Sequence, residues 1–148
     1  MERKTLPPTY FITALALLIG AHFIMPIASL IPSPYNYIGA ALVLFGLIMN
    51  IWADGLFKRV NTTVKPFERP DALVTSGPFC ISRHPMYCGM AAVLLGAAIL
   101  LGSAVSFVFP LAFVALMEMK FITIEEKSMS ERFGEQYTSY RKKVRRWI

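Results

Sequence analysis

Residues 85–124, PMYCGMAAVLLGAAILLGSAVSFVFPLAFVALMEMKFITI, decide how this chain folds. They hold two apolar runs, 85–101 and 104–124, on either side of the short break Leu101-Gly102-Ser103. Each run is near the length at which a helix crosses about 30 Å of hydrocarbon. A break of so few residues closes the two runs into an antiparallel hairpin. Upstream, runs of similar character occupy 10–31 and 37–53. The runs at 37–53 and 85–101 are short for a bilayer, so they stand nearly upright or dip below the headgroups. Pro26 kinks or ends the first run, and Ile31-Pro32-Ser33-Pro34 turns the chain into the second.

Charge fixes the topology. All fifteen Lys and Arg residues fall at 3–4, 58–83 and 120–146, and the nine Asp and Glu residues lie beside them, while the connections 26–36 and 101–104 carry no charge. Four alternating helices put the three charged regions on one side, which the positive-inside rule makes cytoplasmic. At 148 residues the chain fits a single domain, and with 55% hydrophobic and 16% charged residues it carries more apolar surface than a small soluble core can hide. The charged start, Met1-Glu2-Arg3-Lys4, precedes an apolar run too long for a signal peptide and lacking a small-residue cleavage site. The prediction is therefore an all-α, multi-pass membrane protein with both termini cytoplasmic. It has about four transmembrane helices, an ordered cytoplasmic loop at 54–84, and an amphipathic interfacial helix at 125–147.

That last helix is read from Met129, Phe133, Tyr137, Tyr140, Val144 and Trp147, an apolar stripe at helical spacing with polar residues between. It suits the membrane interface or a position closed over the inner face. The loop contains Pro66, Pro70 and Pro78, which exclude one long helix, yet Val64, Phe67, Leu73, Val74 and Phe79 give it enough apolar content to be ordered on the helix ends. The net charge of +6 needs no nucleic acid, since the run Arg141-Lys142-Lys143-Val144-Arg145-Arg146 suits anionic headgroups. Cys80 and Cys88 are read as small buried hydrophobes rather than a disulfide pair. No metal-ligand set is assigned.

Chemistry gathers at Ser82-Arg83-His84-Pro85-Met86-Tyr87-Cys88-Gly89. Proline suits the first helical position, which makes His84 the N-cap and puts Tyr87 on the same side of the first turn. The unpaired N–H groups of that turn form a place where an anion docks. Glu125 and Glu126 end the fourth run at the same membrane level, so the hairpin brings them to His84 and Tyr87. Two readings stay open on spacing alone. The four residues form a site, or the acids begin a solvated face and pair with Lys127, Arg132 or Arg83, with Tyr87 an interfacial anchor. His22 and Asn50, inside the helices, are left out of the site.

Leu73-Val74-Thr75-Ser76-Gly77-Pro78-Phe79, then Ser82-Arg83-His84-Pro85-Met86-Tyr87 and Gly89, resemble the signature of the isoprenylcysteine carboxyl methyltransferase and phospholipid methyltransferase superfamily. Glu125-Glu126, Phe133-Gly134-Glu135-Gln136-Tyr137 and Tyr140-Arg141-Lys142-Lys143-Val144 follow in the same order, so the resemblance runs from residue 63 onward. It implies an integral-membrane methyltransferase that uses S-adenosylmethionine. The cofactor contacts carried over are Leu73, Val74, Phe79, His84, Tyr87, Glu125 and Glu126. A carboxylate or thiolate acceptor needs no base; for an amine or thiol the local bases are His84 and Glu126. The implied acceptor is lipophilic, of the isoprenylcysteine carboxylate type; a phospholipid amine or a small thiol is the alternative. Eukaryotic isoprenylcysteine enzymes often carry His where Asp71 stands, Tyr where Phe79 stands, and an Arg one to two turns before the acid pair. Here that turn reads Met117-Glu118-Met119-Lys120, so the departure falls on the acceptor side. A small transport subunit would instead need an acid deep in a helix, and Glu118 lies near an inner end. A non-catalytic structural subunit of the same family is a third reading. A prokaryotic plasma membrane is the expected location, and nothing in the sequence speaks to oligomeric state.

Overall fold

The computed structural model describes residues 6–25, 28–60 and 71–148. These residues are almost entirely helical: α1 (Pro7–Ile24), α2 (Ile38–Arg59), α3 (Pro85–Leu101), α4 (Val108–Met117) and α5 (Thr123–Lys143), with short 3₁₀ turns before α2, α3 and α4. Helices α4 and α5 are joined by a single π-turn at Glu118–Ile122, so the chain from Ala104 to Lys143 is one long helix. Three helices are long and apolar enough to cross a membrane, and α3 is a shorter apolar helix of 17 residues, roughly 25 Å at helical rise.

Several boundaries differ from the sequence reading. Helix α1 starts at Pro7 and ends at Ile24. Pro26 itself, with Val64, Pro66, Phe67 and Pro70, lies outside the described residues. Helix α2 runs on to Arg59, beyond the point where charge begins, because its final turn carries Lys58 and Arg59 and sets Lys58 against Asp54 at 2.5 Å. The last helix stops at Lys143 rather than 147. Val144 is extended, and residues 144–148 turn back along the molecule.

Helix α3 is the centre of the bundle. Helix α2 packs along one side of it, and α1 and α4 pack against it and against each other. The α2–α3 contact is close because glycines meet across it. A Cβ on Gly46 would lie 2.4 Å from the carbonyl oxygen of Gly89, and one on Gly39 would lie 2.4 Å from that of Gly96. Small residues let helix backbones approach in a membrane, where apolar side chains gain little by leaving lipid. Asn50 is absorbed here: its amide donates to the Gly46 carbonyl at 2.8 Å. Outer faces remain open to lipid, with Ile12, Leu17, Phe23, Leu44, Ile48, Ile51 and Leu111 all exposed.

The two uncharged connections meet at one end. Leu30 N–H donates to the Gly102 carbonyl at 2.7 Å, and Ala104 N–H donates to Ala28 at 3.1 Å. Gly102 closes α3 in the left-handed region (φ 68°), and a Cβ there would lie 2.6 Å from the Ile31 carbonyl. The charged ends of α2, α3 and α4 lie at the other end. There a second apolar cluster forms from Ala53, Val74, Phe79, Tyr137 and Tyr140, with Leu73, Met86, Met129, Phe133 and Val144 packed on it. The apolar stripe of α5 thus covers the loop at the charged end of the bundle. Gly134 (φ 48°, ψ −116°) bends α5 as it does so.

The glycine contact gives a direct test. Gly46→Ala is expected to cost about 1–3 kcal/mol by overpacking. Gly20→Ala, where no atom lies within 4 Å, is expected to be neutral or to gain up to about 1 kcal/mol of helix propensity. Thermal unfolding of the detergent-solubilised variants measures both, and equal melting temperatures would refute the close seam.

Candidate functional site

Pro85 occupies the first position of α3, so the helix starts immediately after His84. A proline there gives up only an N–H that would have been unpaired anyway. The His84 N–H is held by Ser82 Oγ at 3.0 Å, which turns the imidazole toward α5. One helical turn later Tyr87 stacks on that ring, with centroids 5.7 Å apart and planes 20° from parallel. The π-turn widens the backbone just before Thr123, and two residues into α5 come the acids. Tyr87 donates to Glu125, and His84 Nδ1 lies 3.2 Å from the same carboxylate. His84 Nε2 faces Glu126 Oε1 at 3.5 Å. The four polar residues singled out in the sequence therefore form one buried cluster, in which His84 is 9% exposed and Glu126 7%.

Two guanidinium groups complete it. Arg83, 7% exposed, reaches Glu126 through Nη2 at 3.0 Å. Arg146 grips the same carboxylate with Nε at 3.0 Å and Nη2 at 2.5 Å, and its Nη1 pairs with Glu118. Trp147 adds an indole N–H to Glu118 at 3.0 Å. Of the possible partners for the acid pair, Arg83 is used and Lys127 turns away to Glu131. Arg146 does not face headgroups with the rest of its basic run: Arg141, Lys142, Lys143 and Arg145 are exposed, whereas Arg146 points inward. Its role, with those of Glu118 and Trp147, was hidden in the sequence. Arg146 sits in a run of like charges and Trp147 in phase with a helical stripe, and only the reversal after Lys143 separates them from it.

Leu73, Val74 and Phe79 stand apart from the acids. Val74 and Phe79 are buried in the second apolar cluster, where Tyr140 donates to the Phe79 carbonyl at 2.6 Å and Phe57 meets the Phe79 ring edge-on at 5.1 Å. Met86, in the first turn of α3, packs on that cluster and so links it to His84 and Tyr87. Cys88 is buried and its thiol donates to the Trp147 carbonyl at 3.2 Å. Cys80 is exposed, unlike the buried hydrophobe read from the sequence, because the 3₁₀ turn at Gly77–Cys80 points it outward. His22 lies far along α1 against Phe23, outside the cluster.

Burial disfavours a charge on His84, but its hydrogen bonds to Glu125 and Glu126 and the charges of those two acids outweigh that cost. They raise its pKa above the ordinary 6.5. Arg83 Nε and Nη1 are buried and make no hydrogen bond among the described residues, and His84 Nε2 has only its 3.5 Å ion contact with Glu126. Buried donors without acceptors are costly, so the free Arg83 nitrogens suit an anionic group. The paired carboxylates and the Tyr87 ring beside them suit a cation. S-adenosylmethionine carries both, a carboxylate next to an ammonium and a sulfonium, and the donor set fits it.

Residues 35–136 match the family model for phospholipid methyltransferases. Protein-S-isoprenylcysteine O-methyltransferase A of Arabidopsis thaliana is 31% identical over 112 residues, which are 68% of this chain and 55% of that protein. The structure of a eukaryotic intramembrane Ras methyltransferase, isoprenylcysteine carboxyl methyltransferase, superposes with a TM-score of 0.64 at 22% identity, covering 95% of this chain and 51% of that one. The chain thus spans about half the length of the relatives it matches. With the match covering most of the helical bundle and both sides of the polar cluster, this chain belongs to the phospholipid methyltransferase family of integral-membrane proteins.

Proposed function

We propose that the protein transfers a methyl group from S-adenosylmethionine to a lipid-like or prenylated acceptor at the inner face of the membrane. The observation that supports this best is the convergence of His84, Tyr87, Glu125 and Glu126 at the start of α3, beside two buried Arg83 nitrogens that make no hydrogen bond among the described residues. Glu125, Glu126 and the Tyr87 ring are the residues to hold the cofactor's cationic groups, and Arg83 and His84 its carboxylate. Val74 and Phe79, with Leu73 beside them, supply an adjoining apolar wall. When bound, the cofactor supplies an electrophilic methyl group that needs no metal or redox partner.

What the chain must then do is align and exclude water. The burial of the cluster serves the second need, and the rigid start of α3 serves the first. A carboxylate or thiolate acceptor needs no base. For an amine or thiol, His84 and Glu126 are the groups within the cluster able to take a proton. The apolar outer faces of the helices meet the bilayer, which fits a lipophilic acceptor. A protein S-isoprenylcysteine is the acceptor named for the Arabidopsis relative. A phospholipid amine is the second reading, favoured by the family match over residues 35–136. The charged helix ends and both termini face the cytoplasm, and the membrane is a prokaryotic plasma membrane.

Titration calorimetry of S-adenosylmethionine into purified protein in detergent or nanodiscs tests the reading. Micromolar binding by the wild type is expected, weakened about tenfold or more in His84→Ala and Glu126→Gln, since each removes a charged or hydrogen-bonding partner from a buried site. A folded wild type that binds no cofactor in either medium would sink the proposal.

The raised pKa of His84 adds a pH dependence. A group whose pKa rises on folding contributes stability that is fully present below its unfolded value, about 6.5. That contribution declines as pH climbs and is gone above the folded value. The melting temperature of the wild type is therefore expected to fall as pH rises from about 6.5 into the alkaline range. His84→Gln should flatten that slope, and a slope unchanged in the variant would show that His84 does not carry it.

A further inference from the structure

The reversal after Lys143 carries the strongest unassigned feature of the molecule. Residues 144–148 are extended or bent, and they lie across the start of α3. Their backbone is fastened at three points: Arg83 N–H donates to the Arg145 carbonyl at 3.0 Å, Ser82 Oγ to Arg146 at 3.0 Å, and Cys88 Sγ to Trp147 at 3.2 Å. Ser82 thus orients both the His84 N–H and the backbone of Arg146. The side chains then reach the other wall. Arg146 forks onto Glu126 and pairs with Glu118, while Trp147 holds Glu118 and packs among the core residues of the bundle. One guanidinium therefore bridges the carboxylate at the first residue of the π-turn and one beyond its last.

We propose that Arg146 is a positioning residue for the site: by forking onto Glu126 it fixes that carboxylate against Arg83 and His84, and it docks residues 144–148 as the closing wall of the polar cluster. The inference rests on the cofactor-binding reading above but adds a residue from a segment that touches the site only through this fold-back. A planar fork that binds both oxygens of a carboxylate sets its orientation as well as its charge. Glu126 held only by Arg83 and His84 would keep a counter-charge but lose that second, orienting grip.

The test uses Arg146→Met, Arg146→Lys, Glu126→Gln and the Arg146→Met/Glu126→Gln double variant, read in two ways. The first needs no ligand. In a Trp52→Phe background Trp147 is the sole tryptophan, and iodide quenching of its fluorescence reports docking of the segment. Quenching is expected to rise in Arg146→Met and to stay near the wild-type value in Arg146→Lys, which keeps the charge. The second is S-adenosylmethionine titration. Arg146→Met is expected to weaken binding about tenfold, with partial rescue by Lys. In the Glu126→Gln background the same substitution should cost little more, because the two act as one unit. Unchanged Trp147 quenching in Arg146→Met overturns the docking, and additive losses in the double variant overturn action through Glu126. If the wild type binds no cofactor while Arg146→Met still frees Trp147, the segment is docked as proposed and the methyltransferase reading alone fails.

Discussion

A carboxylate buried at the end of a membrane helix must be matched by charge from its surroundings, and Glu126 is matched from three directions. Arg83 comes from the loop before α3, His84 from the cap of α3, and Arg146 from beyond the end of α5. Removing one partner from a buried ion pair typically costs about 3–5 kcal/mol, because the other charge is left stranded. The three elements are thereby tied together by one side chain. The same tie gathers the chemically capable residues of the chain, so the demand of electrostatics and the demand of the site are met by the same atoms.

Helix α3 makes that tie geometrically possible. On one side its glycines accept the backbone of α2, and at its far end Gly102 turns the chain within a single residue. At its near end Pro85 fixes where the helix begins. With both ends pinned and one face sealed, the side chains of His84 and Tyr87 have a defined direction, toward α5. The π-turn at Glu118–Ile122 matters for the same reason. An extra residue in one helical turn rotates everything after it, and single π-turns in long helices tend to sit at functional sites. Here the turn begins at Glu118 and ends before the acid pair, and Arg146 reaches from its first residue to Glu126.

The second apolar cluster gives α5 its other task. Tyr137 and Tyr140 are buried against Val74 and Phe79, so the aromatic stripe is spent on protein rather than on lipid. This brings the loop at 71–84 and α5 together over the charged end of the bundle. A cleft of about 430 Å³ remains between them, lined by Thr75, Cys80, Gln136, Ser139, Tyr140, Lys143 and Val144, but it does not reach the acids. The acid cluster itself is covered by residues 144–148.

Much of this was legible in the sequence, for clear physical reasons. Hydrocarbon thickness dictates run lengths, the cost of charge in lipid segregates the ionic residues to one side, and proline's missing N–H marks the start of α3. From these alone, a helical hairpin had to set His84 and Tyr87 level with Glu125 and Glu126. The tertiary structure decided the rest. Periodicity extends a helix through Trp147, because a repeat cannot register that the chain ends its helix at Lys143 and doubles back. Composition assigns Arg146 to the lipid surface with its basic neighbours, because a run of like charges looks the same whichever way one of its members turns. Which arginine turns inward depends on contacts between residues 64 positions apart, such as Ser82 with Arg146, and no local pattern encodes them.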